Sequence, residues 1–263
     1  MSPIVTPLNE VRINNQLNSA YWRVIVLEKT GSTQDDLVRL VGEGKAVSGD
    51  VVVAEYQSAG RGRLQREFVA PPGSALLFSS FITPRENKGE WGWLPLLASQ
   101  AVFAALQSQI GVEYKLSLKW PNDVLLNDKK IAGLLCERTN SSASPGIVIG
   151  IGINVSMTKE QLPTPLASSL TVEGIPAINR EALIVSILQN LTVYLKRWEL
   201  EDQKLVQEYR DISSTLGSAV LVEMPGGVKY QSKAVDVEKS GSLILESGEV
   251  VSVGDVIHMR ADE

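Results

Sequence analysis

The most constraining feature of the chain is a basic hairpin near its middle, in residues 119–137. This segment has the sequence KWPNDVLLNDKKIAGLLCE. Two apolar runs, residues 124–126 and 131–136, predict strands, and Asn127-Asp128 between them predicts the turn of a β-hairpin. The favoured glycine is missing from the second turn position, but the pattern on both sides of the turn still predicts two paired strands.

Polar and basic residues are placed at the open end of this hairpin. Lys119 ends an alternating strand pattern, and Pro121 fixes a turn in which Asn122 and Asp123 can bond backbone or ligand. Lys130 lies on the return strand. The sequence therefore predicts a site for anions at this rim.

A second unusual segment, residues 57–68, has the sequence QSAGRGRLQREF and is called the arginine loop below. Its glycines allow close backbone approach, and its guanidinium groups offer paired donors to carboxylate or phosphate oxygens. Neither the dinucleotide-binding fingerprint nor the P-loop pattern is present. The arginine loop therefore predicts a ligand site without naming the ligand.

The amino-acid composition excludes some kinds of metal site and an internal disulfide. The chain has 263 residues, one cysteine and one histidine. Metal sites built from several His and Cys ligands are thereby excluded, as is an internal disulfide. Cys136 lies in an apolar run and is interpreted as a small buried residue, and His258 as a structural histidine far in sequence from the basic motifs.

Charge and hydropathy limit the partners. The net charge of −5 argues against broad nucleic-acid binding, and no stretch of about 18 apolar residues predicts a membrane span. The first residues lack the pattern of a secretory signal. We expect a cytoplasmic protein that binds neither DNA nor membranes.

Periodicity predicts strands alternating with helices in the first part of the chain. Strands are expected at residues 23–28, 51–56, 74–82 and 146–154, and helices after residue 31, over 91–110 and from 179 to about 198. From about residue 216, short alternating strands are separated by glycine turns at 225–227, 240–241 and 247–248. This change predicts a small antiparallel barrel at the C-terminus.

Four motifs together resemble one known family, the biotin protein ligases, also called biotin–acetyl-CoA-carboxylase ligases. In the family's order they are GSTQ at 31–34, the arginine loop at 57–68, KWPND through KKIAG at 119–133, and GIGIN at 150–154. Three positions depart from the family pattern. Gln65 replaces a loop glycine, Phe68 replaces a tryptophan that stacks on adenine in relatives, and Gln34 replaces an asparagine.

The resemblance implies a fold. It is an α+β fold with a mixed-sheet catalytic domain flanked by helices, similar to class II synthetases, followed by a small SH3-like β-barrel. We expect the catalytic domain over residues 1–214 and the barrel over residues 215–263. Relatives that repress transcription carry a helix-turn-helix module before the catalytic part, whereas about twenty residues precede the first predicted strand here. DNA regulation is therefore not expected.

The resemblance also implies a reaction. Biotin and ATP form biotinyl-5′-AMP and pyrophosphate, with Mg²⁺, and biotin then passes to a lysine of a biotin carboxyl carrier domain of a biotin-dependent carboxylase. The sequence leaves the oligomeric state open, a homodimer included. Two alternatives also stay open, namely a ligase for lipoate or another short acid and a non-catalytic sensor of biotin or its adenylate.

Motif matching implies roles for individual residues. The catalytic cations would be Lys119, Lys130, Arg61 and Arg63. The biotin site would comprise Ser32, Thr33, Gln34, Gln57, Arg61, Gly62, Arg63, Lys130, Gly133, Gly150 and Gly152. The ATP site would comprise Arg63, Arg66, Phe68, Lys119, Asn122, Asp123 and Asn154. Asp123 is the candidate for placing Mg²⁺, because this ion takes few protein carboxylates beside substrate phosphates.

Overall fold

The computed structural model of the protein describes residues 6–84, 91–139, 145–224 and 226–259. The side chain of Gln65 and all of Pro225, both singled out from the sequence, lie outside the described part. The helices are α1 (Glu10–Leu17), α2 (Thr33–Gly42), α3 (Leu94–Ile110), α4 (Arg180–Glu199) and α5 (Lys204–Ile212). Short 3₁₀ turns lie at Arg63–Gln65, Trp91–Trp93 and Lys159–Gln161.

Seven described strands form the main sheet. They are β1 (Arg23–Leu27), β2 (Asp50–Ala54), β3 (Ala75–Ile82), β4 (Leu116–Lys119), β5 (Asp123–Leu126), β6 (Lys129–Arg138) and β7 (Ile147–Asn154). Their order is β1-β2-β3-β7-β6-β5-β4. The β1–β2 pair is parallel and the other pairs are antiparallel, so the predicted mixed sheet is confirmed.

The two faces of this sheet carry different kinds of side chain. On β7, Ile149, Ile151 and Ile153 are buried in the main hydrophobic core together with side chains of α3 and α4. The alternate residues Gly150 and Gly152 point the other way, because side chains alternate along a strand. Opposite them on β3 stand Ser79 and Leu77, so this second face carries small and polar groups.

Helix α3 is buried on nearly all sides rather than along one stripe. The buried residues include Leu96, Ser99, Gln100 and Val102 beside the predicted apolar positions. Because α3 packs between the sheet and α4, it has little solvent-facing surface, and the single apolar face expected from the sequence was too narrow. The expected start at Trp91 was also wrong, since a 3₁₀ turn precedes the helix.

Helix α5 was missed by the sequence analysis. Only Leu205 and Tyr209 are buried along its nine residues, and Gln203 at its N-terminus makes no side-chain cap. Two apolar residues at a spacing of four are a weak periodic signal, so packing against the core rather than local pattern decides this helix.

The predicted central hairpin is confirmed. Strands β5 and β6 pair antiparallel, and the turn residues Asn127 and Asp128 have φ angles of 50° and 63°. Two consecutive left-handed residues are typical of a type I′ hairpin turn, and asparagine and aspartate tolerate this conformation better than other non-glycine residues.

The C-terminal part forms a second, five-stranded antiparallel sheet. Its strands are β8 (Ala219–Glu223), β9 (Lys229–Val237), β10 (Leu243–Leu245), β11 (Val250–Val251) and β12 (Asp255–His258), in the order β11-β10-β9-β8-β12. The glycines predicted to form turns, Gly241 and Gly248, have φ angles of 84° and 101°. The expected small C-terminal β module is confirmed.

The C-terminal part of the chain contacts the basic hairpin of the main sheet through Trp120. Trp120 is 1% exposed, and its Nε1 donates to the backbone oxygen of Gly241 at 2.9 Å. The backbone N–H of Trp120 donates to Thr215 Oγ1 at 3.0 Å. Trp120 follows Lys119 directly, so this contact places the second sheet beside the predicted anion site. Within the described residues, no helix is long and apolar enough to span a membrane.

Candidate active site

A cavity of about 820 Å³ lies on the small-residue face of the main sheet, within the usual size of a ligand pocket. All of the site residues predicted from the sequence line it. They are Ser32, Thr33, Gln34, Gln57, Arg61, Gly62, Arg63, Arg66, Phe68, Lys119, Asn122, Asp123, Lys130, Gly133, Gly150, Gly152 and Asn154. The structure therefore brings four segments that are far apart in sequence to one concave surface.

Glycines form the floor of this cavity because larger residues would not fit. A Cβ atom at Gly150 would lie 2.6 Å from Gln34 Oε1, and one at Gly152 would lie 2.8 Å from the ring of Phe68. The strand glycines thus let a helix terminus and an aromatic ring approach the sheet closely.

The N-terminus of α2 forms one end of the cavity. Ser32 caps the helix by accepting from the Asp35 backbone N–H at 3.3 Å. The Thr33 backbone N–H donates to Gln57 Oε1 at 2.7 Å, and Thr33 Oγ1 lies 2.9 Å from Ser79 Oγ. These buried polar groups fix one another, which pre-organises hydrogen-bond partners for a polar ring of a ligand.

Arg61 is held from outside the cavity by two carboxylates. Its guanidinium donates to Glu137 Oε1 at 2.8 Å and also contacts Asp35. The hydrogen bond that Arg61 donates to Asp35 is the main cause of a raised pKa for Arg61. Glu137 also accepts from Gln34 Nε2 at 2.9 Å, so one carboxylate joins the arginine loop to α2. The side-chain charge of Arg61 is already matched, and any role for it in charge stabilisation stays a prediction.

Arg63 and Arg66 are oriented by the second sheet. Arg63 Nη1 donates to Asn122 Oδ1 and Nη2 donates to the Gly254 backbone oxygen, both at 3.1 Å. Asp255 lies 3.9 Å from Arg63 Nη1 and forms a close ion pair with Arg66. Burial lowers the pKa of Arg63, so the arginine loop presents a partly desolvated cation to the cavity.

A β-bulge brings Lys130 and Gly133 to the same side of β6. Leu125 pairs with Lys130 and Val124 pairs with Ala132, so one extra residue is inserted between the two pairs. Without it, residues three apart would point to opposite faces. Lys130 Nζ lies 2.5 Å from Asp123 Oδ1, and a Cβ at Gly133 would come within 3.0 Å of Lys130 Nζ. The missing side chain at Gly133 leaves room for the ammonium group.

Lys119 differs in its pairing from the other basic residues described in the cavity. Among the described residues, no carboxylate lies within ion-pair distance of its Nζ, in contrast to Arg61, Arg66 and Lys130. Burial lowers the pKa of Lys119, with the Asp123 carboxylate opposing this shift. A desolvated ammonium without a close carboxylate favours the binding of an anionic group beside it.

Phe68 and Asn154 lie at the more apolar end. The ring of Phe68 packs over Gly152 and against a small cluster of Ala70, Ala75, Leu77 and Met157. Asn154 Nδ2 donates to the Ser168 backbone oxygen at 2.9 Å. The ring therefore belongs to the cavity wall and to local packing at once.

Comparison with known proteins agrees with this geometry. The model of the biotin/lipoate A/B protein ligase family matches residues 26–154, which span the motif segments of the cavity. The biotin–[acetyl-CoA-carboxylase] ligase of Mycobacterium tuberculosis is 37% identical over 97% of this chain and 97% of its own length. The chain belongs to the biotin protein ligase family.

Other family members extend the likeness across the whole chain. The bifunctional ligase/repressor BirA of Escherichia coli is 30% identical over 97% of this chain and 79% of BirA. The biotin protein ligase of Aquifex aeolicus in complex with biotin and ATP matches with a TM-score of 0.74 and 27% identity, covering 90% of this chain and 99% of that one. Both the main sheet and the second sheet therefore follow the architecture of the family.

The second sheet also lines the cavity, and the family motifs did not predict this part of the wall. Glu223, Asp255 and His258 line the cavity, although none belongs to the four motifs. His258, which is far in sequence from the basic motifs and was interpreted as a structural histidine, lines the same cavity as they do. Its contact partners are distant in sequence, and no local pattern signals them.

Burial shifts the pKa values of the chain's one cysteine and one histidine. Cys136 is partly buried, and burial raises the pKa of its thiol to about 12, which keeps it protonated at neutral pH. Burial, followed by the nearby Lys119 ammonium, lowers the pKa of His258 to about 4. Both shifts favour the neutral form of the side chain.

The lowered pKa of His258 gives a pH prediction. Between about pH 6.5 and pH 4 the unfolded chain binds a proton at His258 that the folded chain does not, so this residue costs stability as the pH falls through that window. Because the ring is partly exposed, we expect an effect on the order of 1 kcal/mol. Urea unfolding at pH 7 and pH 4.5 of the protein and of His258→Asn measures the difference. Equal pH dependence in both proteins would contradict it.

Proposed function

We propose that the chain is an ATP-dependent biotin protein ligase that makes biotinyl-5′-AMP and passes biotin to a lysine of a carrier protein. The observation that carries this proposal is the convergence of four separate motif segments on one cavity whose Lys119 has no ion pair among the described residues. Membership of the family supports it from an independent direction.

In the first step, a carboxylate oxygen of biotin would attack the α-phosphorus of ATP. A new P–O bond forms, the bond to the bridging oxygen of the β-phosphate breaks, and pyrophosphate leaves. Two unit charges about 4 Å apart repel by about 1 kcal/mol in water and by about 4 kcal/mol at an effective dielectric constant of 20. Fixed cations are needed to offset this repulsion, and the cavity holds them.

In the second step, the neutral amine of a carrier lysine would attack the acyl carbon of the mixed anhydride. The C–N bond of an amide forms, AMP leaves as its phosphate anion, and the amine loses one proton. The carrier chemistry follows from the family, and a biotin carboxyl carrier domain is the expected partner. The proposal includes no role in DNA binding.

Different parts of the cavity would bind different parts of the two substrates. We place the ureido ring of biotin at the end formed by α2 and Gln57, and its carboxylate near Lys130. Arg63, Arg66 and Lys119 would contact phosphates, while Phe68 and Asn154 would face the adenine. The roles follow from family motifs, and the positions of the side chains along one cavity support them.

The donor set fits a Mg²⁺ ion that is held mainly by the substrate. Within the described residues, no group of three or more metal-ligating side chains is present. Asp123 Oδ1 is buried and, apart from its ion pair with Lys130, has no hydrogen-bond partner among the described residues. Asp123 would contribute that oxygen, and the ion would neutralise charge on the phosphates.

We further propose that the chain divides into a catalytic domain over residues 1–214 and a C-terminal module over residues 215–263. The change from the seven-stranded to the five-stranded sheet supports this boundary. Contacts of Gly254 and Asp255 with the arginine loop indicate that the second module completes the site rather than standing apart from it.

One labelling assay tests the proposed function. The chain is incubated with ATP, Mg²⁺, radiolabelled biotin and a biotin carboxyl carrier domain, and acid-stable label on the carrier is counted. A ligase labels the carrier, and a carrier whose target lysine is replaced by arginine is the control. A sensor would label nothing, and equal labelling from lipoate would favour the lipoate alternative.

Arg66→Ala is expected to weaken retention of the adenylate. Arg66 is 68% exposed, and Asp255, its ion-pair partner, keeps Arg63 at 3.9 Å, so the removal of Arg66 should leave the fold intact. Losing one charge-assisted contact to phosphate should speed the release of labelled biotinyl-5′-AMP by roughly tenfold. Rapid gel filtration after single-turnover labelling measures release. Arg39→Ala, on the exposed face of α2, is the control, and wild-type retention in Arg66→Ala would refute the role.

A further inference from the structure

Where the second sheet lines the cavity, Thr215 and His258 form a short series of hydrogen bonds that no family motif includes. Thr215 is fully buried, and its Oγ1 accepts from the backbone N–H of Trp120 at 3.0 Å. The same oxygen lies 3.1 Å from Nε2 of His258, the last residue of β12. These hydrogen bonds connect Trp120, the residue after Lys119, to an imidazole that lines the cavity.

The hydrogen bonds of Thr215 determine which nitrogen of that imidazole carries the proton. A buried hydroxyl needs an acceptor for its own proton, and among the described residues His258 Nε2 is the acceptor within reach of Thr215 Oγ1. His258 Nε2 therefore carries the lone pair, and the ring proton sits on Nδ1. In the described part of the chain, no hydrogen bond engages Nδ1.

We propose that His258 is a nucleotide-binding residue, whose neutral imidazole donates its Nδ1–H to a phosphate oxygen of ATP beside Lys119. This inference rests on the proposed function. His258 and Lys119 both line the cavity, and they are close enough for the ammonium to disfavour protonation of the ring. The Thr215 hydroxyl contacts both the backbone of Trp120, next to Lys119, and the imidazole of His258, so the two side chains can share one anionic ligand.

A neutral donor suits this position. A second cation next to Lys119 would repel it in a partly desolvated wall, whereas a neutral N–H adds a contact to the phosphate without that cost. The carboxylates that also line this side are Asp123, Asp128, Glu223 and Asp255. Asp123 is paired with Lys130, Asp128 with Lys115, Glu223 with Lys229 and Asp255 with Arg66, so all four are already engaged by cations.

Two polar substitutions separate binding from packing. In His258→Asn, the side-chain amide can place an N–H near the position of Nδ1, while in His258→Gln the longer amide reaches the position of Nε2 and keeps a partner for Thr215. Steady-state kinetics of carrier labelling give KM for ATP and for biotin in each variant, and thermal unfolding reports the fold.

We expect His258→Gln to raise the KM for ATP roughly 10- to 100-fold, the usual worth of a hydrogen bond to a charged group, with the KM for biotin unchanged. His258→Asn should stay within about threefold of the native KM for ATP, because it keeps the donor. Equal KM values for ATP in all three proteins would overturn the inference, as would a parallel rise in both substrates' KM values.

Thr215 supplies a second pair of variants in case a His258 substitution prevents folding. Thr215→Ser keeps the hydroxyl that orients the ring and should leave the KM for ATP unchanged, whereas Thr215→Val should raise it. The same KM for ATP in both would overturn the inference. Failure of the proposed function is distinguishable, because the native protein itself would then label no carrier.

Discussion

Lys119→Met is expected to slow the formation of biotinyl-5′-AMP by about 10²- to 10³-fold, the usual cost of removing one pre-organised group that stabilises developing charge. The methionine keeps the apolar stem and removes only the ammonium. Since Lys119 has no ion pair among the described residues, no carboxylate is left behind without its partner. Quenched-flow measurement of adenylate formation from ATP and biotin gives the rate.

The same substitution makes an opposite prediction for stability. Burial lowers the pKa of Lys119 and thus disfavours its charged form, so a neutral side chain should not reduce the free energy of unfolding. Lys233→Met, on an exposed position of β9, is the matched control. A Lys119→Met protein with near-native adenylation, or one that loses activity only because it unfolds, would contradict the assigned role.

Trp120→Ala is expected to reduce the free energy of unfolding by about 3–5 kcal/mol, as other large-to-small substitutions of buried aromatic residues do. Trp120 is 1% exposed, and its indole N–H reaches Gly241 in the second sheet. The substitution removes both the packing and this hydrogen bond. Urea unfolding followed by circular dichroism measures the change.

Trp120→Phe divides that effect into its parts. The phenyl ring retains much of the packing but leaves the Gly241 backbone oxygen without its donor, which should cost about 1–3 kcal/mol. If Trp120→Ala lowers the free energy of unfolding by less than about 1 kcal/mol, the indole does not stabilise the contact between the second sheet and the hairpin. Loss of stability with an unchanged KM for ATP would separate this structural contact from nucleotide binding.

The elements that the sequence predicted well are those whose information is local. The central hairpin follows from two apolar runs around Asn127 and Asp128, and both residues take the left-handed conformation that such a turn requires. The arginine loop and the strand glycines were located for the same reason. Their glycines mark points where a ring or a helix terminus approaches the backbone, and this requirement acts at single positions.

The elements that the sequence did not predict depend on long-range packing. Arg63 and Gly254 are 191 positions apart in the chain, yet they share a hydrogen bond. The bulge that turns Lys130 and Gly133 to one side depends on pairing with β5, and α5 depends on burial of two side chains. His258 was interpreted as a structural residue because nothing near it in sequence reports that β12 lies beside Lys119.

Biotin-dependent exchange of labelled pyrophosphate into ATP tests the central claim most directly, because it requires only the first step and no carrier. If the cavity joins the carboxylate of biotin to the α-phosphate of ATP, exchange should occur with biotin and Mg²⁺, and fall to the blank without biotin. Exchange at the blank level with biotin, ATP and Mg²⁺ all present would contradict the account.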